Sequence, residues 1–172
     1  MQAVLISIQP KWCELIASGK KTIEVRNTLP KIDVPFKVYI YEKKARFVKS
    51  IKGAHTKYGY GRGKVIGEFV CDDIIVDERG ESADVFYKYA LLSLDEQKKY
   101  GRNKPLYGWH ISDLKIYEKP KNIKEFLKPC PYGELPCSNC PSCERDENDN
   151  LIQCFNTVSR PPQSWCYVED LK

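Results

Sequence analysis

The sequence predicts an α+β protein, a small mixed β-barrel with short flanking helices and a cysteine-rich loop segment. Several short segments alternate apolar and polar residues, which is typical of half-buried strands. Segments with helical spacing are few and short, and no regular strand–helix–strand order indicates a doubly wound parallel sheet. The length of 172 residues fits one domain with a small appendage.

The N-terminal part begins with a buried strand over Ala3–Ile8. Pro10 then opens a helix, because proline is favoured in the first helical turn. Gly19 ends this helix as a C-terminal cap. The next strand, Thr22–Arg26, alternates polar and apolar residues, so its polar side chains share one face.

The middle and the end of the chain contain further short elements. Residues 44–62 are basic, aromatic and glycine-bearing, and they are predicted to form a long exposed loop with room for one short helix. Short helices are expected at 94–101 and 122–127. The remaining predicted strands are Phe36–Glu42, Lys64–Ile75, one or two within Tyr107–Tyr117, and a closing strand at Trp165–Val168.

Charge divides the chain into a basic body and an acidic end. Residues 129–172 hold seven acidic and three basic side chains, so of the total charge of +5 they carry −4 and residues 1–128 carry +9. A basic body favours an anionic partner such as nucleic acid, or simply gives a soluble surface. We expect a barrel body over 1–128, an insert over 129–157, and a segment over 158–172 that completes the barrel.

The sequence favours a cytoplasmic protein with no membrane contact. No apolar run approaches the roughly 20 residues of a membrane helix. The apolar start lacks a basic region before it and a cleavage site after it, so it is interpreted as a strand and not a signal peptide.

Five cysteines in 25 residues predict a metal site in the insert. A C-x2-C knuckle suits tetrahedral zinc, and four of the five thiols would hold one structural Zn²⁺. Two overlapping knuckles compete for the site, and an iron–sulfur cluster, disulfides or free thiols are the alternatives. This segment is also the predicted surface for a protein partner. The five candidates are Cys130, Cys137, Cys140, Cys143 and Cys154.

Glu68 is an isolated acid in the apolar strand KVIGEFVC. Burying a bare carboxylate is costly, so it is expected either to point into a cleft or to pair with a cation, and Lys21 and Arg26 are the natural partners. Such a pair can poise a general base or acid. The alternative is an edge strand with Glu68 in water.

Aromatic residues beside basic ones form a second set of candidates. Trp12, Trp109 and Trp165 could stack on bases, although tryptophan is more often a core residue. His110 follows Trp109 directly, and it is interpreted either as a site residue or as a hydrogen-bonded structural histidine.

Three motifs in this order resemble the ASCH domain family of the PUA-like superfamily. They are SIQPKWCELIASGKKTIEVR, GKVIGEFVCDDI, and YGWHISDLKIY together with RPPQSWCYVEDL. The resemblance covers residues 1–128 and 158–172. It implies a small PUA-like β-barrel with a cleft, in a superfamily associated with RNA and modified nucleosides.

Some ASCH-like proteins are amidohydrolases that remove the acetyl group from 4-acetylcytidine. The resemblance carries their lysine over to Lys21 and their glutamate to Glu68. The position of their threonine nucleophile is Glu24 here, and Thr22, on the same strand face, is a displaced candidate.

The predicted function is therefore a binding module for RNA or a modified nucleotide. A hydrolase acting on a modified nucleoside, or a ribonuclease, is the alternative, with Lys21, Glu24 and Glu68 as its catalytic residues. A protein-interaction adaptor is a third hypothesis. The predicted ligand-binding residues are Trp12, Lys20, Lys21, Thr22, Glu24, Arg26, Glu68, Trp109, His110 and Trp165.

Overall fold

A computed structural model describes residues 2–49, 57–78, 80–130, 143–148 and 151–171. The described helices are α1 (Pro10–Ala17), α2 (Ala83–Tyr89) and α3 (Leu94–Gly101), with one 3₁₀ turn at Ile123–Glu125. The described strands are β1 (Gln2–Ile8), β2 (Ile23–Arg26), β3 (Phe36–Glu42), β4 (Arg46–Lys49), β5 (Lys57–Tyr60), β6 (Lys64–Cys71), β7 (Ile74–Asp77), β8 (Leu106–His110), β9 (Ser112–Lys121), β10 (Cys143–Arg145), β11 (Leu151–Cys154) and β12 (Trp165–Glu169).

The largest sheet has five strands in the order β12-β1-β3-β6-β9. Strands β1 and β3 run parallel, and every other neighbouring pair in this sheet runs antiparallel. The C-terminal strand β12 pairs with the N-terminal strand β1, so the two ends of the chain meet in one sheet.

A smaller sheet has three antiparallel strands in the order β2-β8-β7. Two antiparallel hairpins, β4-β5 and β10-β11, complete the described strands. The packing requires glycine at position 108 on β8, because an added Cβ would lie 2.6 Å from the ring of Phe86 on α2. The small sheet and α2 therefore approach closely only with glycine at this position.

Three clusters of buried apolar residues form the core. The first packs α1 and Trp109 against one face of the large sheet. The second covers the opposite face and includes Tyr39 and Phe126. The third lies between the small sheet and α2, and it contains Ile23 and Val25 of β2. Because these two residues face that cluster, the alternate residues of β2 face the other way.

The α+β class is confirmed, but the sheet is not closed into a barrel. The edge strands β9 and β12 are not hydrogen-bonded to each other, and the large and small sheets share no ladder within the described residues. The predicted barrel is thus an open arrangement of two sheets around a shared core.

Several element boundaries differ from the sequence prediction. The predicted strand 64–75 is two strands, because the chain turns at Asp72 and Asp73 and passes from the large sheet to the small one. Of the one or two strands predicted within Tyr107–Tyr117 the structure has two, β8 and β9, one in each sheet, and β9 continues to Lys121. Sequence alternation is the same in both sheets, so the pattern could not show the change of sheet.

Other differences concern short elements. Residues 44–62 contain β4 and β5, which the basic, glycine-bearing sequence did not indicate; residues 50–56 lie outside the described part. The helix predicted at 122–127 is only a 3₁₀ turn, and α2 was not predicted because seven residues give little periodic signal. No helix in the described ranges is long and apolar enough to cross a membrane.

Candidate functional site

A cleft of about 740 Å³ opens where the ends of both sheets meet the helices. It is bordered by the C-terminal end of β1, the start of α1, strand β2, the end of α3 and the segment just before β12. The volume is within the range of pockets that hold a small organic ligand.

Basic side chains dominate the lining of the cleft. Glu24 is the one acidic residue among the described lining residues, against six basic ones. Fixed positive charge at a concave surface attracts anions, so the cleft is suited to a negatively charged ligand. The six basic residues are Lys21, Arg26, Lys43, Lys99, Arg102 and Lys104.

Three charged residues, Lys21, Glu24 and Arg26, form what we call the cleft floor. All three are buried, with relative exposures of 2%, 5% and 6%. Glu24 lies between the two cations: its Oε1 accepts a 2.8 Å hydrogen bond from Arg26 Nη2, and its Oε2 is 3.4 Å from Lys21 Nζ. The alternation of β2 places Glu24 and Arg26 on the same face.

Lys21 is held by the chain that follows α2. Its Nζ donates a 2.8 Å hydrogen bond to the carbonyl of Ala90 and lies 5.0 Å from the ring centroid of Trp12. Burial lowers the pKa of Lys21, and the Glu24 carboxylate acts in the opposite direction. This lysine is therefore a desolvated cation that depends on its carboxylate partner.

Arg26 connects the floor to two distant segments. Its Nη2 donates to the carbonyl of Ser7 at 2.9 Å, and its Nη1 lies 3.5 Å from Ser164 Oγ. Lys43 stands beside it and donates to the carbonyl of Gln163 at 3.3 Å. Burial lowers the pKa of Lys43, and the charge of Arg26 lowers it further.

A second part of the lining, which we call the rim, carries Lys99 in the last turn of α3 and Arg102 and Lys104 just after it. All three are exposed, and no carboxylate in the described ranges forms an ion pair with them. Helix α3 is fixed at its start by a capping box between Ser93 and Glu96. The rim therefore presents three cations for which the described residues supply no carboxylate partner.

Four of the ten predicted ligand-binding residues line the cleft. They are Trp12, Lys21, Glu24 and Arg26, which the structure brings together as the sequence predicts. Lys20 is exposed and outside the lining. Thr22, the alternative nucleophile, is outside the lining as well. Its backbone N–H donates to the Tyr89 carbonyl, and its carbonyl accepts from the Ile111 N–H.

Glu68 does not lie in the cleft, and the predicted pairing with Lys21 or Arg26 is wrong. Its carboxylate accepts a hydrogen bond from the Tyr117 hydroxyl. On β6 it stands opposite Tyr39, whose ring belongs to the second core cluster. Burial, followed by the effect of Glu68, raises the pKa of Tyr117. The predicted cation partner of Glu68 is therefore replaced by the hydroxyl of a tyrosine, which donates a hydrogen bond to the carboxylate.

The remaining aromatic candidates have structural partners. Trp109 is fully buried in the core, with Phe36 edge-on at a centroid distance of 5.6 Å. Trp165 packs against the same cluster and donates from Nε1 to Thr28 Oγ1 at 3.0 Å. Neither ring lines the cleft.

His110 also lies outside the cleft lining. Its Nδ1 is 2.7 Å from Asp72 Oδ1, and this hydrogen bond lowers the pKa of the Asp72 carboxyl. The pair sits at the turn where the chain leaves β6, so the structure gives it a role in that turn.

Several cleft residues were missed by the sequence analysis. Lys43, Gln163 and Ser164 come from segments that were not considered as site residues, and the rim comes from the stretch KKYGRNK. The density of basic residues in that stretch was the signal available, since basic residues around an aromatic one are typical of nucleic-acid contacts.

The structure describes part of the predicted metal segment. Cys143 on β10 and Cys154 on β11 are direct cross-strand partners, and Cys130 is half-buried. Cys137 and Cys140 lie outside the described residues. Within the described ranges, no group of three or more potential ligands is arranged to hold a metal ion.

Comparison with known proteins finds one matching family and several similar crystal structures. The ASCH domain model matches residues 6–130. The structure resembles the crystal structure of ASCH from Zymomonas mobilis, with 18% identity, a TM-score of 0.59, and coverage of 97% of this chain and 87% of that one.

Two mutants of the same Zymomonas mobilis protein also match. A serine-to-alanine mutant gives 18% identity, a TM-score of 0.60, and coverage of 97% and 88%. A tyrosine-to-phenylalanine mutant gives 20% identity, a TM-score of 0.50, and coverage of 70% and 76%. At these identities the likeness shows the fold, and no curated protein matches the sequence significantly.

Proposed function

The chain belongs to the ASCH domain family, and from this premise we propose that it binds RNA or a nucleotide through the basic cleft. ASCH domains are PUA-like modules that generally bind RNA. The observation that carries the proposal is the charge of the lining, where the described residues include six basic side chains and one acidic one. Phosphate contacts supply much of the affinity of nucleic-acid binding.

The shape and composition of the cleft also support this function. The rim cations are exposed and available for phosphates, whereas the floor cations are buried beside Glu24. Tyr100, which lines the cleft between the rim residues, has an exposure of 37% and offers a ring face for a base. A strand bound across the cleft would therefore meet both charge and an aromatic surface.

Salt dependence tests the proposed function. We expect a fluorescein-labelled 12-nucleotide RNA to bind with an affinity that falls as salt rises, with a log–log slope of about −2 if the three rim cations contact phosphates. Fluorescence anisotropy at several chloride concentrations measures the slope. An absence of binding, or binding that salt leaves unchanged, would contradict the proposal.

A hydrolase is the second candidate, and the desolvated Lys21 beside Glu24 is the observation that favours it. In this reading Lys21 stabilises developing negative charge and Glu24 acts as the base. Because Glu68 lies elsewhere, the appropriate control is Glu24→Gln, checked for folding by circular dichroism. Incubation with 4-acetylcytidine and with RNA should show turnover that exceeds this control, and equal rates would remove the hydrolase.

Structural zinc in the cysteine-rich segment is a further proposal. It is supported by the C-x2-C spacing and by the cross-strand position of Cys143 and Cys154, which places two thiols side by side. A protein partner for this segment and a cytoplasmic location are proposed with it, since the cytosol keeps thiols reduced.

Metal analysis of the purified protein tests the zinc proposal. We expect about one zinc ion per chain, and clearly less in the Cys154→Ser variant. Cys166→Ser is the matched control, because that cysteine packs against the second core cluster. Wild-type protein without zinc, or a Cys154→Ser variant with full zinc content, would show that these thiols do not hold the metal.

A further inference from the structure

Two residues that line the cleft each keep a buried polar atom without a hydrogen-bond partner in the described part of the chain. These atoms are Ser7 Oγ and Arg26 Nε. Their residues have relative exposures of 1% and 6%. Leaving a buried donor unpaired destabilises a protein, so such a pair at a cleft indicates that a ligand supplies the acceptor.

Most of the Arg26 guanidinium is already engaged. Nη2 donates to the Ser7 carbonyl and to Glu24, and Nη1 approaches Ser164 Oγ. These contacts use three of the five guanidinium N–H groups and hold the group in one orientation against Ser7. The Nε–H is the buried donor that has no partner among the described residues. The residues that fix the guanidinium come from β1, β2 and the segment before β12. Ser7 Oγ and Arg26 Nε each have less than 1 Å² of accessible surface, so a ligand oxygen reaches them only when neighbouring side chains shift.

The local charge determines which kind of acceptor fits. Arg26 and Lys21 pair with one carboxylate, Glu24, and Lys43 lines the same cleft, so the floor and its surroundings keep a positive excess. A neutral carbonyl could accept hydrogen bonds from the unpaired donors, but it would gain no attraction from the positive charge. A phosphate group uses both, because its oxygens accept several hydrogen bonds and carry negative charge.

We propose that Ser7 and Arg26 form a phosphate subsite, in which oxygens of a ligand phosphate accept hydrogen bonds from Ser7 Oγ and Arg26 Nε. The inference rests on the proposed function and deepens it: the ligand enters with a phosphate at the buried end of the cleft. Ligands with a phosphate are therefore bound, and the corresponding nucleosides are discriminated against.

The Ser7→Ala variant tests the subsite directly. Because the hydroxyl has no partner among the residues that the structure describes, its removal should leave the Tm of the unliganded protein unchanged or slightly higher. The same change should weaken the binding of CMP about tenfold. Isothermal titration calorimetry with CMP, cytidine and inorganic phosphate at constant ionic strength measures this, with thermal unfolding in parallel.

Ser112→Ala is the matched control, since the Ser112 hydroxyl donates to the Val70 carbonyl at 2.9 Å and lies outside the cleft lining. It should lower the Tm by about 2–4 °C and leave CMP binding unchanged. Ser7→Ala would thus weaken binding without loss of stability, and Ser112→Ala would do the reverse.

Three results would overturn the subsite: equal affinity of wild type and Ser7→Ala for CMP, equal affinity of wild type for CMP and cytidine, or a Tm loss in Ser7→Ala as large as in the control. If CMP and inorganic phosphate bind as expected but labelled RNA does not, the subsite stands and RNA as the ligand fails. If RNA binds and Ser7→Ala changes nothing, the proposed function stands and the subsite fails.

Discussion

Replacing Glu24 with alanine is expected to lower the free energy of unfolding by about 3–5 kcal/mol. The carboxylate is the ion-pair partner of both Lys21 and Arg26, and all three side chains are buried. Removing it leaves two cations side by side, without compensation, in a low-dielectric environment. Urea unfolding followed by circular dichroism at neutral pH measures the loss.

Two further variants show whether unpaired charge causes this loss. Glu118→Ala is the control, because Glu118 is exposed on β9, and it should change stability by less than about 0.5 kcal/mol. Adding Lys21→Met to Glu24→Ala should recover part of the loss, since one of the two unpaired cations is then gone. If Glu24→Ala behaves like Glu118→Ala, the floor is not held together by this ion pair.

Reversing two rim charges, with Lys99→Glu and Lys104→Glu together, is expected to weaken RNA binding about a hundredfold. Each lysine is exposed and without an ion-pair partner among the described residues, so a phosphate can occupy either position without displacing a carboxylate. A hydrogen bond to a charged group contributes about 1.5–3 kcal/mol, which is about tenfold or more for each contact. Anisotropy of the labelled 12-nucleotide RNA measures the affinity.

The neighbouring lysine offers a close control for this variant. Lys98 is exposed on the same last turn of α3 but does not line the cleft. Lys98→Glu changes the charge of the helix end in the same way, so it should weaken binding far less than Lys99→Glu. The double rim variant should also flatten the salt slope by about 1.4. Equal effects of Lys98→Glu and Lys99→Glu would mean that net charge, and not the rim, governs binding.

The elements nearest the N-terminus were predictable because their signals are local. Pro10, the apolar spacing after it and Gly19 mark α1, and alternation marks β2. The same alternation places Glu24 and Arg26 on one face, so the shared face of two of the three floor residues could be predicted. The motifs around these residues also pointed to the ASCH domain family, which the match over residues 6–130 confirms.

The prediction for Glu68 shows the limit of what the local sequence pattern can indicate. The sequence indicates correctly that an acid in KVIGEFVC needs a partner, but alternation does not say which face of the sheet meets the cleft. In the structure Glu68 faces Tyr117, which is 49 positions away in the chain. An acid that meets a hydroxyl and an acid that meets a cation have the same sequence pattern.

By itself, the sequence determined the α+β class, the family, the first strands and helix, and the polar face of β2. Only the tertiary structure decided which residues complete the cleft. Lys21 reaches a carbonyl 69 positions away, and Arg26 reaches Ser164 across 138 positions. Local periodicity is a property of neighbouring residues, whereas the cleft forms where the ends of β1 and β2, the end of α3 and the segment before β12 meet. That meeting depends on how the two sheets pack around their core, so no local pattern contains it.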